Sequence, residues 1–391
     1  AQTASRPAPK PHEPAAEQPP KQPPGSGPAP RMILSDDMQR AYRVRKKLGA
    51  GSQGVVFDVE VIGAQEFRSF LRPVEGAVLK QARDAEGVSQ EALIYSVPDY
   101  RVVKLLDNGK TRSGSAYIVL ERLHATPATR WSGDSNYKAV DPATSADLFV
   151  NLLDRLKGLH FRRKLPLVLC DIKPDNVMLR MPALEPLSSN ADYLECVASG
   201  RYEPVFTDLG CAQHRDVLRD AEGRLKGLIG TPLYLPPESI PSFLDGEFVP
   251  GLYGPQTDIY ALTLTFYSLL TGRRPYEGSD LESIRGPDRL KELFRYKREG
   301  VSPIHEASLH SRLGSHATLV IDILRAGLDP DPRRRATANG LLKTLKKAFE
   351  VEEHRRPKGQ PYAFDDRENR LTWRQTLFPP LNLQRNAYPR E

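Results

Sequence analysis

No run in the sequence approaches the ~18 consecutive apolar residues that a helix needs to cross a bilayer, so no membrane span is expected. Cysteine is scarce: Cys170, Cys196 and Cys211 are the only three in 391 residues. So sparse and odd a set, without metal-ligand spacing, excludes a disulfide framework and favours a reducing compartment. No Asn-x-Ser/Thr acceptor occurs, which leans the same way. The expected location is therefore cytoplasmic. The chain opens on Ala1 rather than Met, which leaves room for a targeting segment ahead of it. A dense basic block is also lacking. The 56 Lys and Arg are scattered among 49 Asp and Glu, so the net charge of +7 does not make a nucleic-acid footprint.

Residues 1–30 lack Leu, Ile, Val, Met and every aromatic, yet carry ten prolines. Such a segment cannot bury enough apolar surface to offset its ordering entropy, and residues 1–35 are expected to be disordered. Within it, PPKQPP (19–24) offers a polyproline ligand to an adaptor domain, against the plainer reading of a solvated linker. From Tyr42 the pattern changes. KKLGAGSQGVVFDVEVIG (46–63) reads as strand, glycine turn, strand; 77–82, 101–107 and 116–123 read as further strands, with a short helix over 89–97. After Asp141 the apolar spacing shifts to 3.6, predicting helices over 147–161, 258–272 and 316–328. Strands first and helices after predict an α+β chain, with a β-rich lobe over about 42–121 and a larger helical lobe over about 124–350. Longer excursions fall at 60–75 and 180–203. The second is polar and proline-bearing, and is expected to be a surface excursion without a packed core. Residues 351–391 read as a tail whose aromatics (Tyr362, Phe364, Trp373, Phe378, Tyr388) could dock on the lobes.

The residues with chemical potential are spread along this pattern. Gly49-Ala50-Gly51-Ser52-Gln53-Gly54, followed by Val56, fits G-x-G-x-x-G-x-V. Glycines let backbone amides approach phosphate oxygens without Cβ obstruction. A dinucleotide fingerprint would open a helix, whereas these glycines lead into a strand. Lys80 ends an apolar strand and needs an anionic partner, which α/β-phosphates supply. Glu91 is the acid best placed to pair with it, across a short separation of eleven residues. In Asp171-Ile172-Lys173-Pro174-Asp175-Asn176, Asp171 suits a base that accepts a hydroxyl proton. Lys173 suits a transferring phosphoryl group, and Asn176 a Mg²⁺ ion. Asp208, at the end of the apolar run Val205-Phe206, supplies a second hard oxygen ligand for Mg²⁺.

Together these motifs resemble the eukaryotic-type protein kinase superfamily over roughly residues 42–350. Gly230 to Glu238, Asp258 in TDIYAL and Arg335 in LDPDPRRRAT extend the likeness, as substrate loop, catalytic-loop cap and partner of Glu238. The resemblance implies a bilobal kinase fold, ATP and Mg²⁺ in the interlobe cleft, and a protein substrate. It places adenine contacts on the backbone of Glu121 and Leu123 behind the gatekeeper Leu120. It also implies two apolar spines, Val56, Val78 and Met178 in one, Tyr95, Leu105, Leu169 and Leu209 in the other. Lys173 with Thr231 is similar to serine/threonine kinases.

The chain departs from the family where Leu169-Cys170-Asp171 replaces His-Arg-Asp and where Asp-Leu-Gly replaces Asp-Phe-Gly. In the two residues Cys170-Asp171 alone it is similar to the non-arginine receptor-like kinases of plants. The arginine that receives a loop phosphate is lost, and Leu209 to Gly230 contains no Ser, Thr or Tyr. That loop is expected to order itself through its own charges, Arg215, Asp216, Arg219, Asp220, Glu222, Arg224 and Lys226. A Cys170–Cys211 redox latch is the rival. Three function classes compete: an active kinase, a nucleotide-binding pseudokinase scaffold and a small-molecule kinase. Lys80, Asp171, Asn176 and Asp208 argue against the second, and residues 231–238 against the third.

Overall fold

The structure is a computed structural model that describes residues 32–35, 40–50, 54–62, 76–82, 91–130, 137–181, 189–220, 224–225, 227–244 and 247–353. The 19–24 motif, Gly51, Ser52 and the tail aromatics lie outside these residues.

Six strands, β1 (Met32–Leu34), β2 (Ala41–Ala50), β3 (Gly54–Ile62), β4 (Ala77–Ala82), β5 (Leu105–Lys110) and β6 (Ala116–Glu121), form one antiparallel sheet in the order β1-β2-β3-β4-β6-β5. Alternation along the strands sorts the side chains. Phe57, Val59, Ala77, Leu79, Tyr117 and Val119 join Ile33 and Tyr42 in a core on one face. The strand period sends Val56, Val78, Lys80, Ile118 and Leu120 to the other face, where Ile118 and Leu120 enter the main core. β1 corrects the expectation of disorder through residue 35. Met32-Ile33-Leu34 are the first aliphatics of the chain, and Ile33 is buried against Tyr42.

The strand expected over 101–107 begins only at Leu105. Val103 instead donates its N–H to Phe206 O at 3.0 Å, and Phe206 N–H reaches Arg101 O at 3.1 Å, tying this segment to the helical part.

That part contains α1 (Pro142–His160), α2 (Asn190–Ala198), α3 (Pro255–Thr271), α4 (Pro287–Glu299), α5 (Glu306–Leu313), α6 (Ala317–Gly327) and α7 (Ala338–Glu353). α1 starts ahead of the expected residue 147. The Asp141 carboxylate accepts the Thr144 N–H at 2.9 Å and Pro142 sits in the first turn, a combination that pre-organises a helix start. α1 packs on α3 through Phe149 and Phe266, stacked at 4.3 Å. α2 corrects the reading of 180–203. A capping box between Ser189 and Asp192 starts the helix, and Tyr193, Cys196 and Val197 are buried. α7 runs to Glu353. Among the described residues no helix is long and apolar enough to cross a membrane.

Candidate active site

The face of the sheet that meets the main core delivers the first cluster. Lys80 Nζ lies 2.7 Å from Glu91 Oε2 and 2.8 Å from Asp208 Oδ1, so the expected Lys80–Glu91 pair forms and a second acid joins it. Glu91 lies on helical backbone that is described over residues 91–95. Burial works against the Lys80 ammonium, but Glu91 and Asp208 outweigh it and hold the group above the usual lysine range. Tyr95, on the same turn, accepts the Leu209 N–H at 3.2 Å. Tyr95, Leu169 and Leu209 are buried in the main core with Leu105 packed on it. Val56 and Val78 are half-buried, and Met178 packs against the same core.

At the end of β6 and just beyond it, Leu120 and Leu123 are buried. The Glu121 carboxylate accepts Arg180 Nε at 3.1 Å and the Lys104 N–H at 2.8 Å, which braces β6 from below. Gly49 pairs with Val56, and a Cβ on it would meet open space. Gly54 differs: its φ is +156°, and a Cβ would sit 2.2 Å from Gln81 O, so the strand packing itself demands glycine there.

The second cluster centres on Asp171. Its Oδ1 accepts the Thr231 N–H at 2.8 Å, and its Oδ2 accepts Lys173 Nζ at 3.0 Å and Asn176 Nδ2 at 3.1 Å. Lys173 Nζ also donates to Thr231 Oγ1 at 2.7 Å, so one lysine bridges Asp171 and Thr231. Because Asn176 turns its amide nitrogen toward Asp171, its carbonyl oxygen faces away from that acid. Asp208 presents a carboxylate whose side chain is 40% exposed. Two hard oxygen donors of this kind fit Mg²⁺ better than any soft metal.

Asp258 of α3 holds the loop that carries Asp171. It accepts the N–H groups of Leu169 and Cys170 at 2.7 and 2.8 Å. Cys170 has a φ of +63°, a left-handed conformation that costs a non-glycine residue roughly 1–2 kcal/mol, and these bonds offset it. His160, at the last turn of α1, meets the same carboxylate at 2.9 Å. Sequence reasoning passed over His160. Its signal was position, since Phe149, Leu153, Leu156 and His160 follow one another on the buried face of α1. Arg180 and Tyr137, whose hydroxyl donates to Asp175 Oδ2 at 2.6 Å, were missed as well.

Of the charges expected to order the loop after Asp208, the side chains of Arg219, Asp220, Glu222, Arg224 and Lys226 lie outside the described residues. Among the described residues the Arg215–Asp216 pair is long, at 3.7 Å, and part-exposed. The firmer ties are β-bridges of Gln213 and His214 to Val168 and Leu167, and Tyr253, whose hydroxyl accepts the Ile229 N–H at 2.9 Å. Cys170 and Cys211 are thiols, not a disulfide. Burial pushes Cys170 well up and Cys211 up to about 11, which removes the thiolate character an oxidative latch needs.

A family model described as the protein kinase domain matches residues 42–345. The chain belongs to the protein kinase family, and its sheet and helices are the two lobes of the bilobal α+β fold. It is 24% identical over 324 residues to a probable serine/threonine-protein kinase, fhkD, of Dictyostelium discoideum, covering 79% of this chain and 37% of that protein. It is 22% identical over 317 residues to the serine/threonine-protein kinase shk2 of Schizosaccharomyces pombe, covering 79% and 44%. Against the human calcium/calmodulin-dependent protein kinase type 1B it is 24% identical over 327 residues, covering 80% and 76%. The chain thus spans less than half the length of the first two relatives.

Proposed function

We propose that the domain transfers the γ-phosphoryl group of ATP to serine or threonine hydroxyls of protein substrates, with Asp171 as the general base. The observation that carries this reading is the convergence of Asp171, Lys173 and Thr231 within hydrogen-bond distance of one another. Asp171 takes the proton of the acceptor hydroxyl as that oxygen bonds the γ-phosphorus and ADP departs. Lys173 offsets charge on the transferring group, and Lys80, fixed by Glu91, holds the α/β-phosphates. Asn176 and Asp208 would hold Mg²⁺, which supplies charge neutralisation at the phosphates when bound. Gly49, Gly51, Ser52, Gly54, Val56, Val78, Met178 and the backbone of Glu121 and Leu123 form the nucleotide bed in this reading.

Incubation with labelled ATP, Mg²⁺ and a generic basic protein tests it. The expected product is phosphoserine or phosphothreonine in that protein. Nucleotide binding without transfer would instead favour a scaffold, and transfer confined to small molecules a metabolite kinase.

A second expected result concerns control. Ordering a loop by phosphate requires a modifiable hydroxyl and a cationic receiver. Leu209 to Gly230 offers no hydroxyl, and Cys170 occupies the receiver position. Exhaustive phosphatase treatment should therefore leave activity essentially unchanged, and a large loss would overturn this.

A further inference from the structure

α4 carries a residue that its amphipathic surface does not explain. Lys297 is 2% exposed, although lysine is rarely buried without a charged partner. Its Nζ donates to the main-chain carbonyls of Leu235 at 2.6 Å and Leu233 at 3.2 Å. The rings of Tyr276 and Tyr260 flank it, with centroids 5.2 and 5.6 Å away, in reach of a cation–π attraction. The acid that faces it, Glu238, is already held by both terminal nitrogens of Arg335. An ammonium so placed has carbonyl oxygens and π-faces as its partners, and so reads the position of a backbone.

That backbone lies between two fixed points. Thr231 is bound to Asp171 and Lys173 at one end, and Glu238 to Arg335 at the other. Leu233 and Leu235 span the interval, and Leu235 is buried. We propose that Lys297 is a positioning residue for the protein substrate, its charged form clamping residues 233–235 at the height where the acceptor segment must lie. This rests on the kinase reading above.

The groups facing Lys297 are Glu238 from the substrate loop, Arg335 behind it, Tyr260 from α3, Tyr276 from the turn that follows, and Tyr296 on its own helix. Burial brings the Lys297 ammonium down to about 7, against the pull of Glu238. Burial also pushes Tyr260 up to about 12 and raises Tyr276, so these phenols stay neutral where the lysine titrates. The sign follows. Below about pH 7 the clamp is charged; above it the amine is a weaker donor and the cation–π attraction is gone. The KM for protein or peptide substrate should rise as pH passes upward through 7.

The test compares Lys297→Met, Lys297→Arg and the unaltered chain by two readouts. In kinetics, Lys297→Met should raise peptide KM about tenfold, the loss of one charge-assisted hydrogen bond, with little change in ATP KM. Its peptide KM should also be flat across pH 6–8, and Lys297→Arg should restore part of the affinity. In amide hydrogen exchange, which needs no turnover, residues 231–236 should exchange faster in Lys297→Met and, for the unaltered chain, faster at pH 8 than the intrinsic pH dependence allows. Unchanged exchange of the loop in Lys297→Met overturns the clamp, whatever the kinetics. Faster exchange in a chain that phosphorylates no protein or peptide overturns the kinase reading and leaves the clamp standing. Should Lys297→Met fail to fold, the pH dependence of exchange in the unaltered chain decides alone: a flat profile rejects the proposal.

Discussion

Replacing Asp171 by asparagine is expected to lower phosphoryl transfer about 10²–10⁴-fold, the share a positioned general base contributes, while nucleotide binding survives. The asymmetry comes from what the side chain touches. The Asp171 carboxylate accepts from Thr231, Lys173 and Asn176, all of them donors. An asparagine has a single acceptor oxygen, so one of these donors would face an amide N–H, and the proton acceptor would be gone. Lys80, Glu91 and the glycine hairpin lie elsewhere and keep their geometry. Asp208→Asn should behave differently. It removes a charge beside Lys80 and a hard ligand for Mg²⁺, so Mg²⁺-ATP binding should weaken, whereas Lys80 keeps Glu91. Nucleotide titration of both variants separates the roles. If Asp171→Asn kept most of its activity, the base would have to be another group.

The second large effect should come from Glu238. Arg335 has no exposed side-chain surface and grips Glu238 through contacts of 2.6 and 3.0 Å. It also donates to Gln256 O at 2.8 Å and Asp329 O at 2.9 Å, and lies 5.0 Å over the Tyr260 ring. Glu238→Ala strands this guanidinium in the interior. Breaking a buried pair from one side costs about 3–5 kcal/mol, which for a domain of this size lowers the melting temperature by on the order of 10 °C. Activity should fall too, because Glu238 anchors the segment that begins at Thr231, which is bound to Asp171 and Lys173. Removing both partners, as in Glu238→Leu with Arg335→Met, should cost less than the single change, since no charge is left unpaired. Recovery should be partial, because the carbonyls of Gln256 and Asp329 would lose their donor. A double variant as unstable as Glu238→Ala would show that the carbonyl bonds, not the ion pair, dominate.

What could be read from the sequence is unevenly distributed, for physical reasons. Lys80, Asp171, Lys173, Asn176 and Asp208 stood out in the sequence because polar and charged groups at the ends of apolar strands, or crowded into 171–176, need partners. The structure pairs Lys80 with Asp208, and Lys173 and Asn176 with Asp171. α3 and α6 were legible because their apolar residues recur at the helical period. α2 was not. It buries only Tyr193, Cys196 and Val197 within a polar stretch, although the Ser189-x-x-Asp192 box was a usable signal. α4 hid for a related reason, since its buried stripe is narrow and includes a lysine. Contacts between residues far apart in the chain leave no local trace. Arg180 meets Glu121 across 59 residues, and Tyr253 meets Ile229 across 24. Of the charges expected to order the loop after Asp208, only Arg215 and Asp216 have side chains among the described residues.

The grip of Asp258 on Leu169 and Cys170 has a consequence for how this enzyme ages and fails. The strained turn that carries Asp171 is secured from the first turn of α3, a helix buried along nearly its whole length. Catalytic alignment and the helical lobe then belong to one cooperative unit, not to a locally unfolding flap. On heating, turnover and helical circular dichroism should vanish over the same few degrees, and a preparation that has kept its fold should have kept its aim.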